Sequence, residues 1–519
     1  MKTNTNLHIK SKEELMSVIG SLENDLVHAQ QKIQQRDSFI QELQHALLLA
    51  KQRHFGRKSE KDLDGAIQHN LFNEAVEPTN LIEVEQADET ITIPGHQRKK
   101  IGRKALPQNL PRVQIIHDLL EEEKVCPCGC QLTLIGEEKS EQLDIIPAKV
   151  QVLEHVKLKY ACKACEETIK TASPKQPIPK SIASAGLLAH VLVSKFKDHL
   201  PLYRQESIFQ RMGVDIARNT LAHWVIKSGE LLLPLYKLLQ DNIINYDIAY
   251  ADETRVQVLN EPGRNPEAQS YMWCFIGGSP DKRSVIYHYD PGRAHTIVET
   301  VLDDFTGYLH CDGYGAYDTY ASDHSVQLVG CWMHARRRFI EITKVTKTKG
   351  LAHQAVAMIA KLYHIERKIK TLNFNHEQIY HYRQQHAKPL LDTFKKWLDD
   401  HLTKVLPKSP IGEAIKYTLG QWHKLIRYLD DGRLEIDNGL SERTIKPFVI
   451  GRKNWLFSDS VAGVKAAEII YSIIETCSLH KIEPYMYLRR VLAKLPSVNT
   501  ESELQALLPF NIDKKSLHL

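Results

Sequence analysis

The chain has 519 residues, too many for one hydrophobic core, so several domains are expected. Hydrophobic residues make up 42% and charged residues 25%, which excludes a fibrous or low-complexity protein, and a net charge of +5 permits nucleic-acid binding without arguing for it. No apolar run approaches the about 20 residues of a membrane span, and nine cysteines with no apolar leader after Met1 predict a reducing cytoplasm.

From Leu15 to Ala50 apolar side chains recur in steps of four and three: Leu15, Ile19, Leu22, Leu26, Ala29, Ile33, Ile40, Leu43, Leu47 and Ala50, with only Arg36 breaking the seam. This repeat predicts a coiled coil over residues 1–54 that pairs two chains; the alternative is a helix folded back on its own domain. Residues 55–111 read as a charged linker, acidic around Glu74–Glu89 and basic at His96–Lys104, and their low hydrophobicity predicts disorder through much of 60–105.

Cys126, Cys128 and Cys130 precede Cys162-Lys-Ala-Cys165 by about thirty residues, with a strand-like alternation at Val150–Leu158 between them. Tetrahedral zinc needs four thiolates converging from two tight turns, so residues 112–180 read as a zinc ribbon. Cys162 and Cys165 form one knuckle. Cys126 and Cys128 form the other, with Cys130 as the substitute; reduced, unliganded thiols are the alternative.

Residues 181–246 read as a helical domain. Within it, Ser207–Trp224 has a helix, a turn at Met212-Gly213-Val214 and a second helix opening on Arg218 and Asn219, which is helix-turn-helix spacing. Candidate strands follow at Ala249–Leu259, Ser270–Ile276, Ser284–Tyr289, Gly307–Cys311 and Val326–Cys331, with a helix at His295–Phe305. Three hairpin-linked strands, a crossover helix and a further strand fit a mixed sheet of the ribonuclease-H kind. The first part of this core is 247–345; a helical insertion occupies 346–428; the second part is 429–475; and 476–519 is a C-terminal helical segment. Lys465–Lys494 reads as amphipathic helix.

Three carboxylates lie in contexts suited to a metal-binding acid triad. Asp252 sits in the alternating run Tyr250–Val258, Asp312 follows the apolar run Tyr308–Cys311, and Glu442 lies near the start of a helix. Two divalent ions about 3.5–4 Å apart can clamp the attacking and leaving oxygens of a phosphodiester, and they favour carboxylate ligands. Glu253 competes with Asp252 for the first place, and Asp430, Asp431, Glu435 and Asp437 crowd the third. Asp437 or Asn438 is better explained as a helix N-cap, which leaves Glu442 in the second turn with Lys446 on the same face. Arg336, Arg337, Arg338, Arg443, Lys446, Arg452 and Lys453 are candidate DNA contacts, as are Arg218 and Asn219. Cys331-Trp-Met-His334 is half of a metal site with no second half evident, and packing is the preferred reading.

Several motifs occur together: Cys-Pro-Cys-Gly-Cys, Tyr160-Ala-Cys-Lys-Ala-Cys, Ala251-Asp-Glu-Thr, His310-Cys-Asp-Gly-Tyr, Cys331-Trp-Met-His-Ala-Arg-Arg, and Gly451-Arg-Lys-Asn-Trp-Leu-Phe behind Ser441-Glu-Arg. In this order they resemble the large transposase of the insertion-sequence 66 family over nearly the whole chain. The resemblance implies a multidomain α/β protein: a ribonuclease-H-like mixed-sheet catalytic core with a helical insertion, preceded by coiled coil, zinc ribbon and helix-turn-helix. It implies a DDE transposase whose Asp252, Asp312 and Glu442 bind Mg2+ (or Mn2+), beside structural Zn2+. Its implied partners are terminal inverted repeats, target DNA, a second copy of the chain and companion proteins of the same element, in the cytoplasm at the nucleoid. A non-catalytic DNA-binding dimer, or a nuclease without strand transfer, are the alternatives. Two departures stand out: the first knuckle normally reads Cys-Pro-x-Cys-Gly, and Asn438-Gly439 replaces an asparagine pair.

Overall fold

The computed structural model describes residues 12–55, 113–114, 127, 150–161, 169–171, 175–345, 349–514 and 517. The chain divides into two units, Glu60–Leu153 on the one hand and Met1–Ser59 with Glu154–Leu519 on the other. The linker at 55–111 lies outside the described residues apart from Phe55, and so do Cys126, Cys128, Cys130, Cys162 and Cys165.

The heptad repeat becomes one 44-residue helix, α1 (Lys12–Phe55). Its seam residues Ile19, Leu22, Leu26, Ile33, Ile40 and Leu47 are all half or more exposed, so one chain alone leaves this apolar stripe in water. In the zinc-ribbon region the alternating run Val150–Leu158 makes no ladder among the described residues, and Val152 and Val156 are 92% and 77% exposed. Alternation makes a strand only where one face is buried, and here neither is. The hairpin lies just beyond, β1 (Lys159–Ala161) against β2 (Ile169–Thr171), antiparallel with Lys159 opposite Thr171. Cys162 and Cys165 fall between these strands in the sequence.

Helices α2 (Ala185–Phe196), α3 (Leu202–Arg211) and α4 (Arg218–Ile244) follow. Gly213 adopts a φ of 80° in the turn, a conformation that favours glycine. α4 is 27 residues long and joins the core directly. Tyr236 Oη donates to the Tyr287 carbonyl at 3.0 Å, and Asn242 Nδ2 donates to Ser284 Oγ at 2.8 Å.

The core is a mixed sheet of β3 (Ile248–Asn260), β4 (Gln269–Gly277), β5 (Ser284–Asp290), β6 (Gly307–Cys311) and β7 (Val326–Gly330) in the order β5-β4-β3-β6-β7. β3, β4 and β5 pair antiparallel, while β6 and β7 add parallel to β3. This mixed α/β arrangement is consistent with a ribonuclease-H-like core. A short β8 (Ser458–Ser460) pairs with the outer end of β3. The predicted crossover helix is shorter than its pattern, α5 (Thr296–Val301): Leu302 already leaves the helical region at φ −111° and ψ 36°, and Asp304 follows at a φ of 62°. Between β6 and β7 lies α6 (Gly315–Asp323), and α7 (Trp332–Thr343) follows β7.

The insertion forms α8 (Leu351–Leu372), α9 (His376–Leu402), α10 (Pro410–Gly420) and α11 (Trp422–Leu425), and the chain returns to the sheet as α12 (Gly439–Trp455). The segment read as a single amphipathic helix is two, α13 (Val461–Leu479) and α14 (Pro484–Lys494), before the short α15 (Glu501–Gln505). α13 runs unbroken across residue 476, and every residue from Ala466 to Cys477 is buried. It crosses α4 where Gly229 allows close approach; a Cβ there would come within 2.8 Å of Ala466 Cα. Along the outer strand β5, the free N–H groups of Val285, Tyr287 and Tyr289 donate to Thr476 Oγ1, Ser472 Oγ and Glu468 Oε2 of α13, at 3.0, 2.8 and 2.6 Å. Among the described residues no helix is long and apolar enough to cross a membrane.

Candidate active site

Strand geometry places the first two acids. β3 and β6 run parallel with Tyr250 opposite His310, and the rings of these two residues stack at 4.4 Å. The ladder ends at that pair; Asp252 lies two residues beyond it in β3, and Asp312 two residues beyond it, just past the C-terminal end of β6. Strand alternation sends Asp252 and Glu253 to opposite faces of β3. Glu253 is occupied on its own face, where it accepts from Arg293 Nε at 3.1 Å and Tyr317 Oη at 2.7 Å.

Hydrogen bonds, not periodicity, bring in the third acid. Asn438 is 1% exposed, and its Nδ2 donates to the carbonyl of Ala251, the residue before Asp252, at 2.8 Å. Its backbone N–H donates to Cys331 Sγ at 3.2 Å, and the Trp332 N–H donates to the Ile436 carbonyl at 3.3 Å. The start of α12 is thereby fixed between β3 and the start of α7. As read from the sequence, this pair caps the helix: Asn438 stands at the N-cap position and Asp437 Oδ1 accepts the Gly439 N–H at 2.9 Å; Glu442, however, lies in the first turn of α12, not the second. Gly439 is the first helical residue, so it does not bear the cost of a glycine within a helix.

The neighbouring acids act on Asp252. Burial pushes the Asp252 carboxyl well above its ordinary range, and the charges of Glu253, Glu442 and Asp312 push it further. Asp252 Oδ1 accepts the Glu253 N–H at 2.9 Å, and Asp312 Oδ1 accepts the Tyr314 N–H at 2.8 Å. Glu442 is approached by His334 Nδ1 at 3.6 Å and Arg337 Nη2 at 3.5 Å. Burial, followed by the charge of Arg337, holds the His334 pKa below its usual value, so the ring is neutral near pH 7. A buried carboxyl that feels the charges of three further acids suits a divalent cation, whose charge would offset that repulsion. Asn438→Ala is expected to leave the Ala251 carbonyl unsatisfied at about 1–3 kcal/mol, and to release the first turn of α12. Lower stability in a denaturant titration, with cleavage lost out of proportion, is the expected outcome.

Asp312 opens on a cleft of about 600 Å³ lined also by Arg293, Tyr314, His334, Arg337, Arg338, Lys408 and Tyr417. Arg293 lies over the Tyr314 ring at 3.7 Å and Arg338 over the Tyr417 ring at 3.8 Å. Tyr417 comes from α10 of the insertion and abuts Gly313, where a Cβ would meet its hydroxyl at 2.8 Å. Sequence reasoning missed Arg293, Lys408 and Tyr417. The only signal for Arg293 was its place in a turn after β5, and the other two lie in a segment set aside as insertion.

Of the predicted DNA contacts, Arg337 and Arg338 line the cleft and Arg336 does not. Arg218 and Asn219 are exposed at the start of α4, where the Arg218 N–H donates to Glu206 Oε1 at 2.8 Å. Arg443 lines a separate, smaller cavity with Arg283, Arg367 and Lys370. Lys446 feels the charge of Glu442, and Lys453 is exposed. Arg452 is engaged by β3, donating to Thr254 Oγ1 at 3.2 Å and to the Arg255 carbonyl, so it braces the strand.

The family model "Transposase IS66 family" matches residues 180–466. Further models match the zinc-finger binding domain of transposase IS66 at 123–166, the IS66 C-terminal element at 472–510, and "Transposase C of IS166 homeodomain" at 42–115. Among curated proteins, the uncharacterized protein y4jD of Sinorhizobium fredii is 35% identical over 78% of this chain and 81% of its own length. Uncharacterized protein y4qI of the same organism is 31% identical over 79% and 77%. The chain belongs to the IS66 transposase family.

Proposed function

We propose that the chain is a DDE transposase that cuts at the ends of an insertion sequence and joins the freed 3′ ends to target DNA. The reading rests on one observation: Asn438, four residues before Glu442, donates to the carbonyl of Ala251 beside Asp252 at 2.8 Å, so that segments 190 residues apart meet on β3, the strand that pairs with the one ending before Asp312. These three carboxylates would hold Mg2+ or Mn2+, which when bound activates a water or hydroxyl oxygen and stabilises charge on the scissile phosphate. In the first step the water oxygen bonds to phosphorus and the 3′ oxygen leaves. In the second that 3′ oxygen attacks a target phosphorus and displaces the target's own 3′ oxygen. Arg293, Arg337, Arg338 and Lys408 would hold the strand's phosphates in the cleft, with Glu253 and Tyr314 fixing Arg293.

The test uses full-length protein, Mg2+, and DNA carrying the inverted repeats that flank the gene. Nicked ends and joined products are expected from the wild type. Asp312→Asn and Glu442→Gln should bind the repeats normally and cut nothing. Retained cleavage in both variants would sink the reading; cleavage without joining would favour a nuclease; specific binding with neither would favour a DNA-binding regulator.

The exposed seam of α1 supports a homodimer. Leu22→Asp combined with Leu26→Asp is expected to turn a dimer into a monomer in light scattering, and a wild type already monomeric would refute this. A structural Zn2+ on Cys126, Cys128 (or Cys130), Cys162 and Cys165 is supported by the zinc-finger match. Stoichiometric zinc in the purified chain, lost in Cys162→Ser, is the expected result. Terminal-repeat recognition by the ribbon and by Arg218 and Asn219, help from companion proteins, and a cytoplasmic, nucleoid-associated location complete the proposal.

A further inference from the structure

Cys331-Trp-Met-His334 finds its missing half in Glu442. Ligand atoms of Cys331, His334 and Glu442 all lie within 4.8 Å of one another. The topology explains why. β6 delivers Asp312 at its C-terminal end, the neighbouring parallel strand β7 delivers α7 at the same end, and His334 is the third residue of α7. His334 lines the same cleft as Asp312, and its Nδ1 is buried without a hydrogen-bond partner, 3.6 Å from Glu442 Oε1. Two ligands at right angles on one ion, with bonds of about 2.1 Å, sit about 3 Å apart. A closure of about 0.6 Å would therefore complete a shared site. Cys331 differs from the histidine: it is 3% exposed and its Sγ already accepts the Asn438 N–H, which ties the start of α7 to the start of α12.

We propose that His334 is a fourth protein ligand to the divalent metal at the acid site, through Nδ1, and that Cys331 positions it without binding metal. This rests on the reading of Asp252, Asp312 and Glu442 as a metal site. An imidazole donor shifts the preference of a carboxylate site from Mg2+ toward Mn2+ and later transition metals.

The experiment is pulsed electron paramagnetic resonance on the full-length chain with Mn2+ alone as the probe. Wild type is expected to show the nitrogen modulation of a directly bound imidazole. His334→Ala and His334→Gln should both lose it and bind Mn2+ about 10–100-fold more weakly, the scale of loss known for disturbed metal shells. Cys331→Ser should keep the modulation. The proposal is overturned if wild type binds Mn2+ in an Asp252-dependent way without nitrogen modulation, or if the modulation survives in His334→Ala. Either result leaves the acid site standing. Absence of any Asp252-dependent Mn2+ binding removes the acid-site reading and this ligand together.

Discussion

Asp252→Asn is expected to cut magnesium-dependent cleavage by about 10³-fold or more, on the scale of a lost group in a preorganised electrostatic site, while raising the melting temperature of the metal-free protein. The carboxylate is held in a buried position against Glu253, Glu442 and Asp312, so its charge is a burden on the fold. Its folded-state pKa lies above the unfolded value. The metal-free fold therefore loses stability as pH rises above about 3.9 toward the raised value, and the amide has no proton to lose. A gain near 1 kcal/mol would appear as a shift of a few degrees in a domain of this size. Added Mg2+ should stabilise wild type, by about 2.7 kcal/mol at one hundred times its Kd, and leave the variant unmoved. Thermal scans in chelator and in Mg2+ check both parts. A variant less stable than wild type in chelator, yet still stabilised by Mg2+, would contradict the assignment.

Arg383→Leu should produce the largest loss of stability, about 3–5 kcal/mol. Arg383 of α9 is 3% exposed and grips Glu366 of α8 with two bonds, Nε to Oε1 at 2.9 Å and Nη2 to Oε2 at 2.8 Å. Its Nη1 also donates to the Tyr428 carbonyl at 2.9 Å, on the path from the insertion to α12. Leucine would leave a buried carboxylate without a counter-charge. Lysine would not rescue it, because a point charge cannot reproduce the planar fork. Arg383→Leu with Glu366→Leu should recover much of the loss, since removing both charges removes the desolvation cost. Denaturant titration of the three variants reads this directly; a double variant no better than the single would show that the pair is not the source.

Legibility in the sequence followed the range of the forces involved. Strands β3 to β7 fall where alternation and apolar runs predicted, because their residues report a local environment: nearly continuous burial in β4, β5 and β7, and alternation toward the outer end of β3. The identity of the acids came from motif context; in the fold both Asp252 and Glu253 feel the charge of Asp312, and Glu253 is set apart by its bonds to Arg293 and Tyr317. The arrival of Glu442 was not legible. It depends on Asn438 reaching the Ala251 carbonyl and on Cys331 accepting a backbone N–H, contacts that no spacing announces. The amphipathic pattern of Lys465–Lys494 did not show where its polar side would go: in α13 Glu468, Ser472 and Thr476, four residues apart, spend their polarity on β5. Glu475 likewise pairs with Lys197 at 3.2 Å. Arg293 carried no signal beyond a turn, since its role comes from Glu253 and Tyr314 closing around it.

That polar ladder on α13 also bears on how the protein behaves in a crowded solution. Outermost strands recruit foreign polypeptides through their unpaired amides, and many proteins blunt them with charge or irregularity. Here a helix made late in synthesis seals the margin. Copies truncated before residue 461 would present an adhesive border able to nucleate stacking between chains, so the tail guards against aggregation as well as packing the core.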